Sequence, residues 1–183
     1  MRFRKEKRGK NMSDLVRVAV DAMGGDYAPV EPVKGAVEAV NADERVKVQL
    51  VGQVDVIEKE LQKYTYPKER VEIVPATEII ETGEPPVNAI RHKKDSSIVV
   101  GMKKVRCGEA DAFVSSGSTG AVLVGGQTIV GRIKGVERPP LAPLIPTKDG
   151  VSLLIDCGAN VDARPSHLVQ FCLLYTSPSP RDL

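Results

Sequence analysis

Two patterns of apolar and polar positions take turns along this chain. Short unbroken runs of β-branched and aliphatic residues recur, and between them apolar residues return every three or four positions. The first pattern marks strands covered on both sides, the second helices with one buried side. VRVAVDA (16–22) reads as a first strand, closed by GGD. After Pro29 and Pro32, VKGAVEAVNAD reads as an amphipathic helix closing near Asn41. VKVQLVG (46–52) is a second strand, DVIEKELQKY (55–64) a helix and VEIVPA (71–76) a third strand. The acidic, proline-containing stretch 77–90 is a loop that returns to helix, and residues 91–110 are basic and then helical. ADAFVSS (110–116) is a strand. Residues 118–135 form a helix whose apolar side is nearly continuous, which predicts burial. Residues 137–146 are extended, VSLLIDCGANVDA (151–163) is another strand running into a glycine loop, and SHLVQF (166–171) opens a helix that the sequence leaves unfinished.

Strands alternating with helices predict an α/β fold: a largely parallel sheet with helices on both faces. Ligands of such sheets sit at the carboxyl ends of the strands. Three glycine loops fall there: DAMGGD after the first strand, SSGSTG (115–120) after the fourth, and DCGANVD after the last.

SSGSTG places small hydroxyls and bare amides where a strand ends and a helix begins. The first amides of a helix have no intrahelical partner, and the dipole there is positive. Ser116, Gly117, Ser118, Thr119 and Gly120 can therefore cradle an anion, most naturally phosphate. The spacing is equally compatible with Ser118 or Thr119 simply capping the helix. There is no GxxxxGK[ST], and the glycines at 117, 120, 125 and 126 do not form GxGxxG, so the two familiar nucleotide loops are absent. Asp21, Gly24 and Gly25 on the first loop are candidate partners of the same site. Arg91, Lys93, Ser96, Ser97 and Arg138 are candidates to bind or neutralise a phosphate. Asp156 and Asn160 flank Gly158, and Asn160 could hydrogen-bond an oxyanion. Cys157 reads as a buried structural thiol rather than an acyl-accepting nucleophile. His92 and His167 read as surface or capping side chains.

The formal charge of +2 hides an uneven distribution. Residues 1–11 carry six basic side chains and one acidic one, and the body 12–171 is mildly acidic. That argues against nucleic acid as a partner. Three cysteines without CxxC spacing and two well-separated histidines predict neither a disulfide framework nor a metal, and point to a reducing, cytoplasmic setting. No apolar run is long enough to span a membrane. Met12 reads as the natural start, with 1–11 a non-native basic extension. CLLYTSPSPRDL (172–183) reads as translated sequencing adaptor.

The blocks VAVDAMGGDYAP, IRHKKDSS, EADAFVSSGSTGA, VGRIKGVERPPLAP and LLIDCGANVDARPSHLVQF stand in one order across 16–171. In these blocks the chain resembles the phosphate acyltransferases of bacterial phospholipid synthesis (the PlsX family), as their amino-terminal half only. The resemblance implies a fold like those of phosphotransacetylases and of isocitrate/isopropylmalate dehydrogenases. It implies reversible transfer of a fatty acyl group from acyl carrier protein to inorganic phosphate, giving acyl phosphate for phospholipid synthesis. No cofactor or metal is implied. The family is homodimeric and associates peripherally with the membrane. Many members read SAGNTGA where this chain has SSGSTGA; serine keeps a small capping side chain in place of asparagine, which implies the same reaction. The family's Gly-x-Glu-x-x-Lys and DGFxGN-like loops are not in this sequence. The expectation is therefore a fragment that is inactive alone and exposes apolar surface. Two other readings stay open: a dehydrogenase of the related fold, and a non-catalytic fragment that binds carrier protein or phosphate.

Overall fold

The computed structural model describes residues 15–148, 150–159 and 162–176. The basic extension, Asn160 and residues 177–183 lie outside the described residues. The chain runs β1 (Val16–Asp21), α1 (Val30–Ala42), β2 (Val46–Gly52), α2 (Val54–Leu61) and β3 (Val71–Pro75). It continues through α3 (Pro86–His92), α4 (Ser97–Arg106), β4 (Ala112–Val114), α5 (Thr119–Gly125), β5 (Leu144–Thr147), β6 (Gly150–Leu153) and α6 (Pro165–Thr176).

Four strands form one parallel sheet in the order β3-β2-β1-β4. Strand residues of alternate parity face opposite sides, and both sides are apolar here. Val48 and Leu50 of β2 meet Val33, Val37 and Val40 of α1 and Ile57 and Leu61 of α2 on one face. Ala19 and Val51 meet Val74 and Ala110 on the other, packed against by Val100 and Val105 of α4 and its C-terminal end. A third cluster joins α3, α4 and α5 through Ile90, Ile98, Met102 and Ala121. The apolar runs of β1 and β2 are thus central strands covered on two sides, and the α/β reading holds.

Four elements depart from the sequence reading. The helix read over 118–135 with a buried apolar side ends at Val130, where Gly131 at φ 102° stops it, and among residues 118–130 only Ser118, Ala121 and Gly125 are buried. Helix α1 begins at Val30, before Pro32, because the first turn of a helix tolerates a residue without an N–H. Residues 151–163 do not add a strand to the main sheet. With Gly150 at φ 145°, β6 folds back antiparallel on β5 as a separate, largely exposed hairpin. The last helix does not stop at Phe171 but runs through residues 172–176.

Candidate functional site

The chain leaves β1 toward β2 and β3, then returns to the other side of β1 for β4. Strand order reverses between β1 and β4, and ligands of such sheets bind in the crevice at the carboxyl ends of the strands at such a point. The loops 21–26 and 115–120 meet at this point.

Their junction is a small polar lattice. Asp21, only 1% exposed, accepts the Met23 amide on Oδ1 (3.1 Å) and the Ser115 hydroxyl on Oδ2 (2.7 Å). The Ser115 Oγ in turn accepts the Gly117 amide (3.0 Å), and the Ser116 Oγ donates to the Gly24 carbonyl (2.9 Å). The two backbones approach too closely for side chains. A β-carbon on Gly24 would lie 2.2 Å from Asp21 Oδ2 and 2.9 Å from the Gly117 nitrogen. Gly25 sits at φ 101°, a conformation that suits glycine.

Past this junction the chain enters α5. Ser118 caps it, its Oγ accepting the Ala121 amide at 3.3 Å. The amides of Ser118, Thr119 and Gly120 have no acceptor among the described residues, and Thr119 is exposed. Successive unpartnered N–H groups beside a hydroxyl are of the kind that can bind an anion. Of the two readings of SSGSTG, the Ser118 cap is the one seen directly, and the amides of 118–120 remain without an acceptor among the described residues.

The structure redistributes the other candidates. Asp21 and Ser116 hold the two loops together, and Ser115, not singled out in the sequence, does as much. Its only sequence signal is a hydroxyl directly after an apolar strand. Asp21 cannot itself attract a phosphate, since both are anions. Among the described residues no hydrogen bond or ion pair joins Arg91, Lys93, Ser96, Ser97, Arg138 or Asp156 to the 115–120 loop. Lys93 donates to the Ile79 carbonyl (2.6 Å) and to Glu84 (2.5 Å). Ser96 caps α4 and donates to the Lys93 carbonyl; Ser97 is buried beside it. Asp156 accepts the amides of Leu141 (2.7 Å) and Ala159 (3.3 Å), tying the turn after β6 to the proline-rich segment. Arg138 lines a separate cavity of about 500 Å³ with Glu137, Arg164 and His167. Cys157 is exposed rather than buried, because it sits on that turn and not in a sheet strand. His167 is buried, and its Nδ1 accepts the Arg164 amide at the start of α6 (3.2 Å). Asn160 lies outside the described residues.

The Lys93–Glu84 pair fastens the acidic loop onto α3. Hydrogen bonding from Lys93, then from the Glu81 amide, holds the Glu84 carboxyl below its usual range. A lowered carboxylate pKa stabilises the folded state above the unfolded value of about 4.3. That contribution is lost as pH falls through the lowered folded value. Lys93→Met is expected to speed amide hydrogen exchange at residues 79–84 at pH 7. The difference from wild type should shrink below about pH 4. Equal exchange at pH 7 would mean the pair does not hold the loop.

Among the described residues no cluster of His, Cys, Asp and Glu could hold a metal ion, and no helix is long and apolar enough to cross a membrane.

Comparisons with known proteins agree with the α/β fold. The family described as "Fatty acid synthesis protein" matches residues 16–177. A phosphate acyltransferase of Clostridium kluyveri is 50% identical over 157 residues, which is 86% of this chain and 47% of that protein. Those of Alkaliphilus oremlandii and Clostridium beijerinckii are 49% and 51% identical, over 87% and 85% of this chain and 47% of each relative. The chain thus spans about half the length of the curated relatives it matches. A phosphotransacetylase structure from Streptococcus pyogenes superposes with a TM-score of 0.63 at 16% identity, over 87% of this chain and 52% of that one. That likeness concerns the fold.

Proposed function

The chain belongs to the fatty acid synthesis protein family, and from that premise we propose that it supplies the phosphate-holding half of a phosphate acyltransferase. The reaction is transfer of a fatty acyl group from the thioester of acyl carrier protein to inorganic phosphate. A phosphate oxygen attacks the thioester carbonyl, the C–S bond breaks, and the thiolate leaves and takes up a proton. The acyl phosphate formed serves phospholipid synthesis. Phosphate at neutral pH is already a nucleophile, so the demand on the protein is placement and charge stabilisation. The observation that carries this reading is the row of three unpartnered amides, 118–120, at the crevice between β1 and β4. Activity in the cytoplasm as a homodimer that touches the membrane peripherally belongs to the same proposal. So does a lack of turnover by this chain alone.

Thr119→Pro tests the amides directly. Thr119 is the first residue of α5, where proline fits, and Ser118 before it is already extended at φ −60°, ψ 108°. The substitution removes one free N–H while keeping the helix. A hydrogen bond to a charged group is worth roughly 1.5–3 kcal/mol, so phosphate affinity by titration calorimetry should fall about tenfold or more. Thr119→Ala keeps the amide and should lose less. Unchanged phosphate binding in the proline variant, or none in the wild type, would refute the assignment.

A further inference from the structure

Helix α5 passes without a break into a π-helical turn, Gly126–Val130, and one side of the combined segment is not covered by the core. Thr119, Leu123, Gly126 and Val130 recur along that side at helical spacing. They form one wall of a cavity of about 410 Å³, faced by Ile133 and Leu141 of the following segment. The cavity therefore begins at Thr119, the residue that carries a free amide in the phosphate loop, and runs away from it along about 16 Å of helix. Its lining is aliphatic apart from Thr119, Gln127 and Arg132.

We infer that this groove receives the hydrocarbon chain of the acyl substrate, with the carbonyl end at Thr119. The inference rests on the acyltransferase reading above. Two features select this cavity over the other apolar one near the crevice, about 420 Å³ between α1 and the sheet. That one is edged by Asp21 and Glu31 and by no basic residue, an unfavourable surround for an acyl phosphate. The α5 groove contains Arg132 and no acidic residue, and it shares Thr119 with the free amides. A chain lying in it has its reactive end beside the phosphate without a bend. Burial of successive methylenes then makes affinity grow with chain length.

Gly126 provides the test. It lines the groove in helical conformation, and a β-carbon built on it would meet no atom within 4 Å. Gly126→Leu therefore fills the middle of the groove without displacing the core. Binding of inorganic phosphate, acetylphosphonate and palmitoylphosphonate is measured on the 183-residue chain and on this variant. The wild type is expected to bind palmitoylphosphonate at least about tenfold more tightly than acetylphosphonate. Gly126→Leu should remove that difference and leave phosphate and acetylphosphonate unchanged. Gly126→Ala, a smaller plug, should weaken the long-chain ligand in part. A chain-length advantage that survives Gly126→Leu in a folded variant would overturn the inference, as would its absence in the wild type. Failure of the acyltransferase reading looks different: phosphate and acetylphosphonate would not bind the wild type at all. Retention of the palmitoyl group at a Gly126-sensitive site would still support the groove.

Discussion

Asp21→Ala will lower the stability of the chain by about 2–4 kcal/mol and abolish phosphate binding at the 118–120 amides. The side chain is buried and accepts two hydrogen bonds, from the Met23 amide and the Ser115 hydroxyl. Alanine leaves both donors without a partner, and a buried donor without one costs about 1–3 kcal/mol. The damage does not stop there. Ser115 is the acceptor of the Gly117 amide, so a hydroxyl released from Asp21 frees the start of the phosphate loop. Urea denaturation reads the stability, and phosphate titration reads the loop. Asp21→Asn separates geometry from charge. The asparagine oxygen can still accept the Met23 amide, and the Ser115 hydroxyl can turn from donor to acceptor toward the side-chain NH₂. This variant should lose less than half as much stability and hold phosphate as tightly as wild type or more so, since a nearby negative charge is gone. If Asp21→Asn abolished phosphate binding while remaining folded, the carboxylate itself would be part of the site and the positioning role would fall.

Gly24→Ala is expected to disturb the same place from the other side. Its methyl group would sit 2.2 Å from Asp21 Oδ2 and 2.9 Å from the Gly117 nitrogen. Neither neighbour is the free end of a flexible chain: one is a carboxylate fixed by two hydrogen bonds, the other is backbone. Overpacking of this kind costs about 1–3 kcal/mol, and the 21–26 and 115–120 loops must part to relieve it. A displacement near 1 Å is enough to lower activity or binding about 100-fold where several donors must converge. Phosphate affinity should therefore fall far more than stability does. Gly35→Ala is the matched control, because a β-carbon there meets nothing within 4 Å and lies in α1, where alanine favours helix. It should be neutral or slightly stabilising. Equal effects of the two substitutions would show that close approach at Gly24 has no special weight.

The parallel sheet was legible because its central strands are covered on both faces and so read as largely apolar runs: Val18 to Val20 and, interrupted only by Gln49, Val48 to Val51. The carboxyl-edge glycine loops were legible for the same reason, since they directly follow those runs. What periodicity cannot report is a strand's partner. Val151 to Leu154 have the composition of a core strand, yet β6 pairs only with β5 and leaves Val151 exposed. Side-chain commitments were also hidden. Lys93 and Ser96 stand beside a basic stretch and suggest anion binding, but their polar atoms are used within α3, α4 and the 79–84 loop. Ser115 and Asp21 lie 94 residues apart, and only the parallel pairing of β1 with β4 brings them together.

That separation also sets a timetable for synthesis. β1, β2 and β3 are complete by Pro75, with α1 and α2 already packed on one face. A chain emerging from the ribosome can build this three-stranded core early, from neighbours close in sequence. The anion site cannot exist until β4 has left the exit tunnel and crossed to the far side of β1, because half its lattice is carried by Ser115, Ser116 and Gly117. Ligand binding thus reports on the last long-range step of assembly, and phosphate should favour the finished sheet over the half-built one.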